Sequence, residues 1–288
     1  MRRVLLLGSI ALLGLLTALV YWAGDYLTRP SRADTGVPDA ELHAHSLLFD
    51  SLSGVKLSAW FVQGSPRAGA ILLLHGVRSN KRAMLSRARF LKELGFSVLL
   101  IDLQAHGESE GERISFGYRE AEDVRAAVEK LRELAPGEQI GVLGVSLGAA
   151  SILLSDVQPL VAAVVLESLY PSLEEAVANR MHIHFGTVGT WFSPLLLTQL
   201  APRLGVTSAQ LRPIERASLL RRPVLFVHGT GDRHTTIQEA QRIFSVVPAP
   251  KDFLSLSGAG HVDLHEFGGK VYERRVGGFF IRQLRAAG

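Results

Sequence analysis

The sequence of 288 residues contains no cysteine, and this absence excludes several classes of protein. A disulfide-stapled scaffold, a zinc finger, a thiolate-held iron–sulfur cluster and a cysteine nucleophile all require cysteine thiols. The sequence also has little excess of either charge, with 31 lysines and arginines against 27 aspartates and glutamates. No run of basic residues exceeds two. Nucleic-acid binders usually carry a clustered basic stripe. We therefore expect no nucleic-acid partner.

The N-terminus holds a long uncharged run. Val4–Ala23 has no charged residue and reaches the roughly 20 residues that a transmembrane helix needs. Arg2 and Arg3 precede it and aromatic residues close it. We expect residues 1–24 to be an uncleaved anchor, with a cleaved signal peptide as the alternative. The positive-inside rule then places the N-terminus in the cytoplasm and the remaining chain outside, as a single-pass membrane protein.

A linker over residues 25–41 and one domain over residues 42–288 are expected to follow. Strand and helix signals alternate through this domain, which predicts a mostly parallel sheet with helices on both faces. The expected strands are Ser46–Phe49, Lys56–Val62, Ala70–Leu74, Ser97–Ile101, Ile140–Val145, Ala163–Leu166, Val224–Val227 and Phe253–Leu256. The expected helices are Arg119–Leu134, Ile237–Val246 and Val271–Leu284.

Residues 169–222 interrupt the alternation, because this stretch is too long for a plain crossover between strands. It contains four prolines and a cluster of leucines and aromatic residues. We predict a small helical insert that forms a lid over a substrate pocket. The alternative is an insert that only adds packing.

A candidate nucleophile follows the strand Ile140–Val145. The segment Gly144–Gly148 has the pattern G-x-S-x-G with Ser146 at its centre. In a strand–turn–helix context this pattern is typical of a nucleophilic serine held at a sharp turn, with glycines that allow strand and helix to approach. The alternative is a glycine-rich turn with an incidental serine.

A serine hydroxyl needs a general base, and the base needs an orienting acid. Asp232 follows the strand Val224–Val227, and His261 lies just beyond the last expected strand. The ends of parallel strands meet at one edge of a sheet, where ligands bind. We therefore predict Ser146, Asp232 and His261 as nucleophile, acid and base. Glu167 is the reserve acid and His265 the reserve base.

Two backbone amides are candidates for an oxyanion hole. Leu147 follows the nucleophile, and its N–H is the first expected donor. The second is the N–H of Val77, in the loop after the strand Ala70–Leu74, where Gly76 lets the backbone come close. We expect His75 to brace this loop rather than to transfer protons.

These motifs together resemble the α/β-hydrolase superfamily, and within it the lysophospholipase and serine aminopeptidase groups. The resemblance covers roughly Leu47 to the C-terminus. It implies a three-layer α/β fold with a mostly parallel eight-stranded sheet and a helical lid insert. It also implies the catalytic roles given above and no cofactor. The residues that carry it are Leu74–Gly76, Ile101–Ser109, Gly144–Gly148, Pro223–Asp232 and Gly260-His261.

One segment departs from the family pattern. The loop Asp102–Ser109 usually reads Asp-x-Arg-Gly-His-Gly-x-Ser, whereas Gln104 and Ala105 stand here in place of arginine and glycine. We expect this loop to be structural. The departure then affects packing more than chemistry.

The sequence therefore predicts a membrane-anchored serine hydrolase that cleaves an ester or thioester of a small or lipid-like acyl substrate through an acyl-enzyme. A peptidase or acyltransferase on the same fold is an open alternative, as is a catalytically silent binding module. No metal is expected. The pairs His43/His45 and His182/His184 could share a metal ion if extended, but neither has a further ligand at a known spacing.

Overall fold

The computed structural model describes residues 2–38, 40–248 and 250–285 of the chain. Met1 of the predicted anchor, Asp39 of the predicted linker, and Ala249 and residues 286–288 of the predicted domain lie outside the described residues. The strands are β1 Ser31–Arg32, β2 His45–Asp50, β3 Lys56–Val62, β4 Ala70–Leu74, β5 Ser97–Ile101, β6 His106–Gly107, β7 Ile140–Val145, β8 Ala163–Glu167, β9 Val224–Gly229 and β10 Lys251–Leu256.

Ten α-helices lie within the described ranges. Glycines with left-handed backbone kink two of them, at Gly186 and Gly269. The helices are α1 Arg2–Thr28, α2 Leu85–Glu93, α3 Glu120–Leu134, α4 Leu147–Leu154, α5 Leu173–Thr190, α6 Ser193–Leu197, α7 Leu200–Leu204, α8 Pro213–Ala217, α9 Ile237–Val246 and α10 Leu264–Leu284.

Eight strands of the described chain form one sheet in the order β10-β9-β8-β7-β4-β5-β3-β2. The six strands from β10 to β5 are parallel, and β3 pairs antiparallel with both β5 and β2. This confirms the prediction of an eight-stranded, mostly parallel sheet. Two apolar cores cover its two faces because successive side chains of a strand alternate: in β4, Leu72 belongs to one core and Ile71 and Leu73 to the other.

The prediction of a transmembrane helix is wrong. No helix in the described ranges combines the length and the apolar character that crossing a bilayer requires. The single-pass topology, the membrane partner and the extracytoplasmic placement of the domain were derived from that segment, so these predictions are wrong as well.

The end of α1 instead packs on the domain. Asp25 forms ion pairs with Arg29, Arg113 and Arg203, at 2.6, 2.7 and 3.2 Å. Arg78 donates a hydrogen bond to the carbonyl oxygen of Tyr26. The uncharged run Val4–Ala23 does not reveal that the helix continues to Thr28 as a charged part of the fold.

The residues of the predicted linker also contact the domain. β1 pairs in parallel with the short strand β6. The side chain of Arg32 donates to the carbonyl oxygens of Ser109 and Gly111, at 2.6 and 3.1 Å. The chain therefore approaches the sheet along the loop that follows β5.

Candidate active site

Ser146 occupies the sharp turn between β7 and α4. Its φ of 51° and ψ of −104° lie outside the regions that L-residues favour, so the turn is strained. A Cβ on Gly144 would lie 2.5 Å from the backbone of Gly148, and one on Gly148 would lie 2.6 Å from the carbonyl oxygen of Leu74. Only glycine fits at both positions, which explains the spacing of the motif.

Two cavities meet at Ser146, and we name them by their walls. The His261 cavity has a volume of about 340 Å³, and its lining includes Val77, Arg87, Ser146, Arg180, His234, His261 and Asp263. The insert cavity has a volume of about 260 Å³, and its lining includes Leu27, Val77, Ser146, Leu147, Leu173, Val177, Arg180 and Leu196. Ser146, Val77 and Arg180 line both.

His261 is bound to Asp232 by a side-chain hydrogen bond of 2.7 Å between Nδ1 and Oδ2. The other carboxylate oxygen of Asp232 accepts from the backbone N–H groups of His234 and Thr235, at 2.8 and 3.0 Å. Burial raises the pKa of Asp232, but the hydrogen bond and charge of His261 outweigh it and leave the pKa below its usual value. The carboxylate is thus ionised at neutral pH and fixes Nδ1 of His261 as the protonated nitrogen.

The loop after β4 is held by His75, which is fully buried. Its Nδ1 lies 2.7 Å from the carbonyl oxygen of Gly76, and its Nε2 accepts from the backbone N–H of Leu103 at 3.1 Å. Burial lowers the pKa of His75 to about 3, so the ring is neutral with its proton on Nδ1. A trans peptide directs its C=O and N–H to opposite sides. The N–H of Val77 therefore faces away from His75.

The two reserve residues have other partners. Glu167 is buried and accepts hydrogen bonds from Arg87, at 3.0 and 2.7 Å, and from the hydroxyl of Tyr272. His265 pairs with Glu273 at 3.2 Å. Neither reserve residue lines the His261 cavity or the insert cavity.

The insert spans the four helices α5 to α8, and α5 supplies much of the wall of the insert cavity. Arg180 of α5 was not among the residues predicted from the sequence. A signal for it was present: Leu173, Ala176, Val177 and Arg180 have the spacing i, i+3, i+4, i+7 of one helix face. A single cation on an otherwise apolar stripe indicates a polar function.

The metal alternative assumed extended histidine pairs, but His182 and His184 both lie in helix α5. In a helix, residues two apart point to different sides. His184 lines the insert cavity, whereas His182 lines a separate cavity with Asn179. Within the described ranges, no three potential ligands converge on one point.

The loop after β5 makes buried hydrogen bonds with its neighbours. Asp102 accepts from the backbone N–H and the ammonium group of Lys81, at 2.7 and 2.6 Å. Gln104 donates through its backbone and its side-chain amide to Asp123, at 2.8 and 3.1 Å. Ala105 has a φ of 60°, in the left-handed region that favours glycine. The residues of the family pattern that change here are therefore packed in the fold, outside both cavities.

Comparisons with known proteins agree with this architecture. The model of the alpha/beta hydrolase family matches residues 71–274. The uncharacterized protein Rv2307c of Mycobacterium tuberculosis is 31% identical over 232 residues, which cover 78% of this chain and 75% of that protein. The uncharacterized protein YqkD of Bacillus subtilis is 23% identical over 243 residues, which cover 82% of this chain and 79% of the relative.

Solved structures share the fold. The esterase Pf2001 of Pyrococcus furiosus superposes with a TM-score of 0.75 at 23% identity, over 90% of this chain and 98% of the esterase. Est1E of Butyrivibrio proteoclasticus, solved with ferulic acid bound, has a TM-score of 0.63 at 17% identity, over 82% and 98% of the two chains. The narrower resemblance to the lysophospholipase and serine aminopeptidase groups stays a prediction. From its sheet, its serine turn and the match over residues 71–274, the chain belongs to the alpha/beta hydrolase family.

Proposed function

We propose that this chain is a serine hydrolase that cleaves carboxylic ester or thioester bonds of small or lipid-like acyl substrates. One observation carries the proposal: Ser146 and His261 line the same cavity, while Nδ1 of His261 is bound to the buried carboxylate of Asp232. The bond to Asp232 leaves Nε2 of His261 as the basic nitrogen. This arrangement supports Ser146 as the nucleophile, His261 as the base and Asp232 as the orienting acid.

In the acylation step, the Ser146 hydroxyl oxygen attacks the carbonyl carbon as Nε2 of His261 takes its proton. The tetrahedral intermediate then expels the alcohol, or the thiol of a thioester, which receives that proton from His261. Asp232 stabilises the imidazolium that forms between the two transfers. Water repeats the sequence on the acyl-enzyme, releases the acid and restores the serine.

The N–H groups of Val77 and Leu147 are the proposed donors to the developing oxyanion. Three features support them: both residues line the insert cavity with Ser146, Leu147 begins helix α4, and His75 fixes the peptide that bears the Val77 N–H. The helix dipole of α4 adds a partial positive charge at the same place.

The acyl and alcohol groups are assigned to different cavities. Leu147 lines the insert cavity but not the His261 cavity, and His261 lines only the latter. Because the base hands its proton to the departing alcohol, we place the alcohol in the His261 cavity. The acyl chain then occupies the insert cavity, between Leu27 of α1 and the apolar face of α5.

The direct test is labelling with a fluorophosphonate probe, which reacts with activated serines. The wild-type chain should be labelled at Ser146, and both Ser146→Ala and His261→Gln should abolish labelling and p-nitrophenyl ester hydrolysis. Ser151, which lies in helix α4 and donates to the carbonyl oxygen of Leu147, offers the matched control: Ser151→Ala should still be labelled. A folded wild-type chain that takes no label would refute the proposal and favour a catalytically silent module.

A second panel separates the alternatives on the same fold. Aminoacyl anilides test for a peptidase, and added alcohol acceptors test for an acyltransferase. We expect p-nitrophenyl esters to be turned over faster than anilides of the same acyl group, because the leaving alcohol needs less assistance from His261. A preference for anilides would assign the same residues to peptide cleavage.

A further inference from the structure

Arg180 forms no ion pair with a carboxylate of the described residues, and it stands at the junction of the two cavities. Arg180 and Ser146 both line the two cavities. A guanidinium has five N–H donors. Within the described residues Arg180 uses one of them, because its Nη1 donates to the carbonyl oxygen of Ala176 at 3.2 Å. Among those residues no carboxylate forms an ion pair with it. The remaining donors are therefore available to a ligand.

The other charged groups of the His261 cavity are already compensated. Arg87 is paired with Glu167 and with Asp263, at 2.7 and 2.9 Å. Asp263 also accepts from the backbone N–H groups at the start of α10. Asp232 is not part of that lining; it is bound to His261 at 2.7 Å and attracts Arg180 electrostatically without forming an ion pair with it. Among the residues that line this cavity, Arg180 is thus the cation whose charge is left for a substrate.

The surroundings of Arg180 make an open charge unfavourable. Burial lowers the pKa of Arg180, because it removes water from the guanidinium. Arginine nevertheless keeps its proton at neutral pH. His234 lines the His261 cavity together with Arg180. Its Nδ1 is buried with no hydrogen-bond partner in the described chain, and its ring centroid lies 5.0 Å from that of His261. A cation and an unpartnered ring nitrogen therefore flank the space that the alcohol would occupy.

We propose that Arg180 binds an anionic group on the alcohol portion of the substrate, so that the preferred substrates are acyl esters of alcohols that bear a carboxylate or a phosphate. This inference rests on the proposed ester hydrolysis. The planar guanidinium can donate two parallel hydrogen bonds to either anion. Arg180 lines both cavities, so the side of the ester follows from His234, whose unpartnered ring lines only the cavity assigned to the alcohol, together with His261.

The test compares three substrates with the same acyl group: 4-(butyryloxy)benzoate, 4-(butyryloxy)phenyl phosphate and the neutral 4-(butyryloxy)benzamide. The wild-type ratio of kcat/KM, anionic over neutral, should fall about tenfold or more in Arg180→Gln and be partly restored in Arg180→Lys, since charge-assisted hydrogen bonds are the strong ones. The substrate with the larger wild-type ratio identifies carboxylate or phosphate as the natural anion. Arg132→Gln, on the exposed side of α3, is the control and should keep the wild-type ratio.

The outcomes separate the two proposals. If the neutral ester is hydrolysed through Ser146 but the ratio is unchanged in Arg180→Gln, the anion inference is overturned and the hydrolase proposal stands. If no ester is turned over by the folded wild-type chain, the hydrolase proposal fails. The anion inference then fails too, because it rests on that proposal. Calorimetry on Ser146→Ala gives a reading without turnover: 4-hydroxybenzoate should bind more tightly than 4-hydroxybenzamide, and adding Arg180→Gln should remove the difference. Equal affinities before that substitution would also overturn the inference.

Discussion

The Nδ1 atom of His261 lies 2.7 Å from the Oδ2 atom of Asp232, although 29 residues separate them in the chain. The contact joins the loop after β9 to the loop after β10, two neighbouring parallel strands. Because the carboxylate is buried and also accepts two backbone N–H groups, its orientation is fixed before a substrate arrives.

Asp232→Asn should therefore lower kcat by about ten-thousandfold with little change in KM, because the amide favours the wrong tautomer of His261. Steady-state kinetics on a p-nitrophenyl ester measure this. Glu167→Gln is the comparison, since Glu167 pairs with Arg87 instead of a histidine. Its folded fraction should keep kcat within about tenfold while thermal stability falls. The opposite pattern would make Glu167 the acid.

His75 should act as a positioning residue for the Val77 amide. His75→Phe keeps the buried ring but loses the hydrogen bonds to Gly76 and Leu103. We expect kcat to fall about a hundredfold with KM nearly unchanged, since losing one oxyanion donor costs roughly 3 kcal/mol. Affinity for a boronic acid transition-state analogue should fall in proportion to kcat.

A variant that is destabilised without touching the loop controls for His75→Phe. Val128→Ala creates a cavity in the core on helix α3 and should cost about 1–3 kcal/mol of stability. Below its melting temperature it should keep wild-type kcat. If it loses kcat as His75→Phe does, the effect of His75 is a matter of stability alone.

Replacing Ala105 with glycine should stabilise the fold. The φ of 60° at Ala105 costs an L-residue about 1–2 kcal/mol, whereas glycine adds about 0.4–1 kcal/mol of unfolded-state entropy. Strain is the larger quantity, so Ala105→Gly should raise the free energy of unfolding by about 0.5 kcal/mol. Urea denaturation measures it. Ala178→Gly, within helix α5, should lower the same quantity; a fall in both variants would contradict the strain argument.

Much of the sheet was predictable from the sequence because its strands are buried on both faces. The bounds of β4, β5 and β7 equal those predicted, since each is a compact apolar run. The bounds of β3 also equal those predicted for one strand of an antiparallel pair. β10 begins two residues before the predicted Phe253, because Lys251 and Asp252 lie on an edge strand where charge is tolerated.

The site was only partly predictable. Ser146, Asp232 and His261 follow strand ends, so the topology alone suggested their convergence. Arg180 could not be placed, because the path of the insert is set by packing against the domain and not by a local motif. The membrane prediction failed for a similar reason, since composition does not reveal that the end of α1 carries Asp25 into ion pairs with the domain.

Asp123 should give the stability of the fold a dependence on pH. Burial raises the pKa of Asp123 well above its usual value, despite hydrogen bonds from Ser51 and Gln104. The folded state therefore holds this proton more tightly than the unfolded state. Its contribution to stability is complete below about pH 4, the unfolded pKa, and is lost as pH rises through the folded pKa.

Asp123→Asn, which cannot ionise, should thus gain stability relative to wild type as pH rises from about 4 to 9. Chemical denaturation across this range measures the difference. Gln104→Arg, which places the arginine of the family pattern beside the carboxylate, should flatten the wild-type slope. Glu129→Gln, exposed on the same helix, should leave it unchanged. Parallel pH curves for wild type and Asp123→Asn would refute the assignment.

Leu27 lies near the N-terminus of the chain, whereas His261 lies near the C-terminus. Leu27 nevertheless lines the insert cavity. Trimming the N-terminus to the start of β2, a natural choice when preparing crystals or assays, would remove one wall of the insert cavity and leave Arg113 and Arg203 without the Asp25 carboxylate. Such a shortened enzyme would accept bulkier chains than the intact one. Selectivity profiles should accordingly be gathered on protein that retains the whole of its first helix.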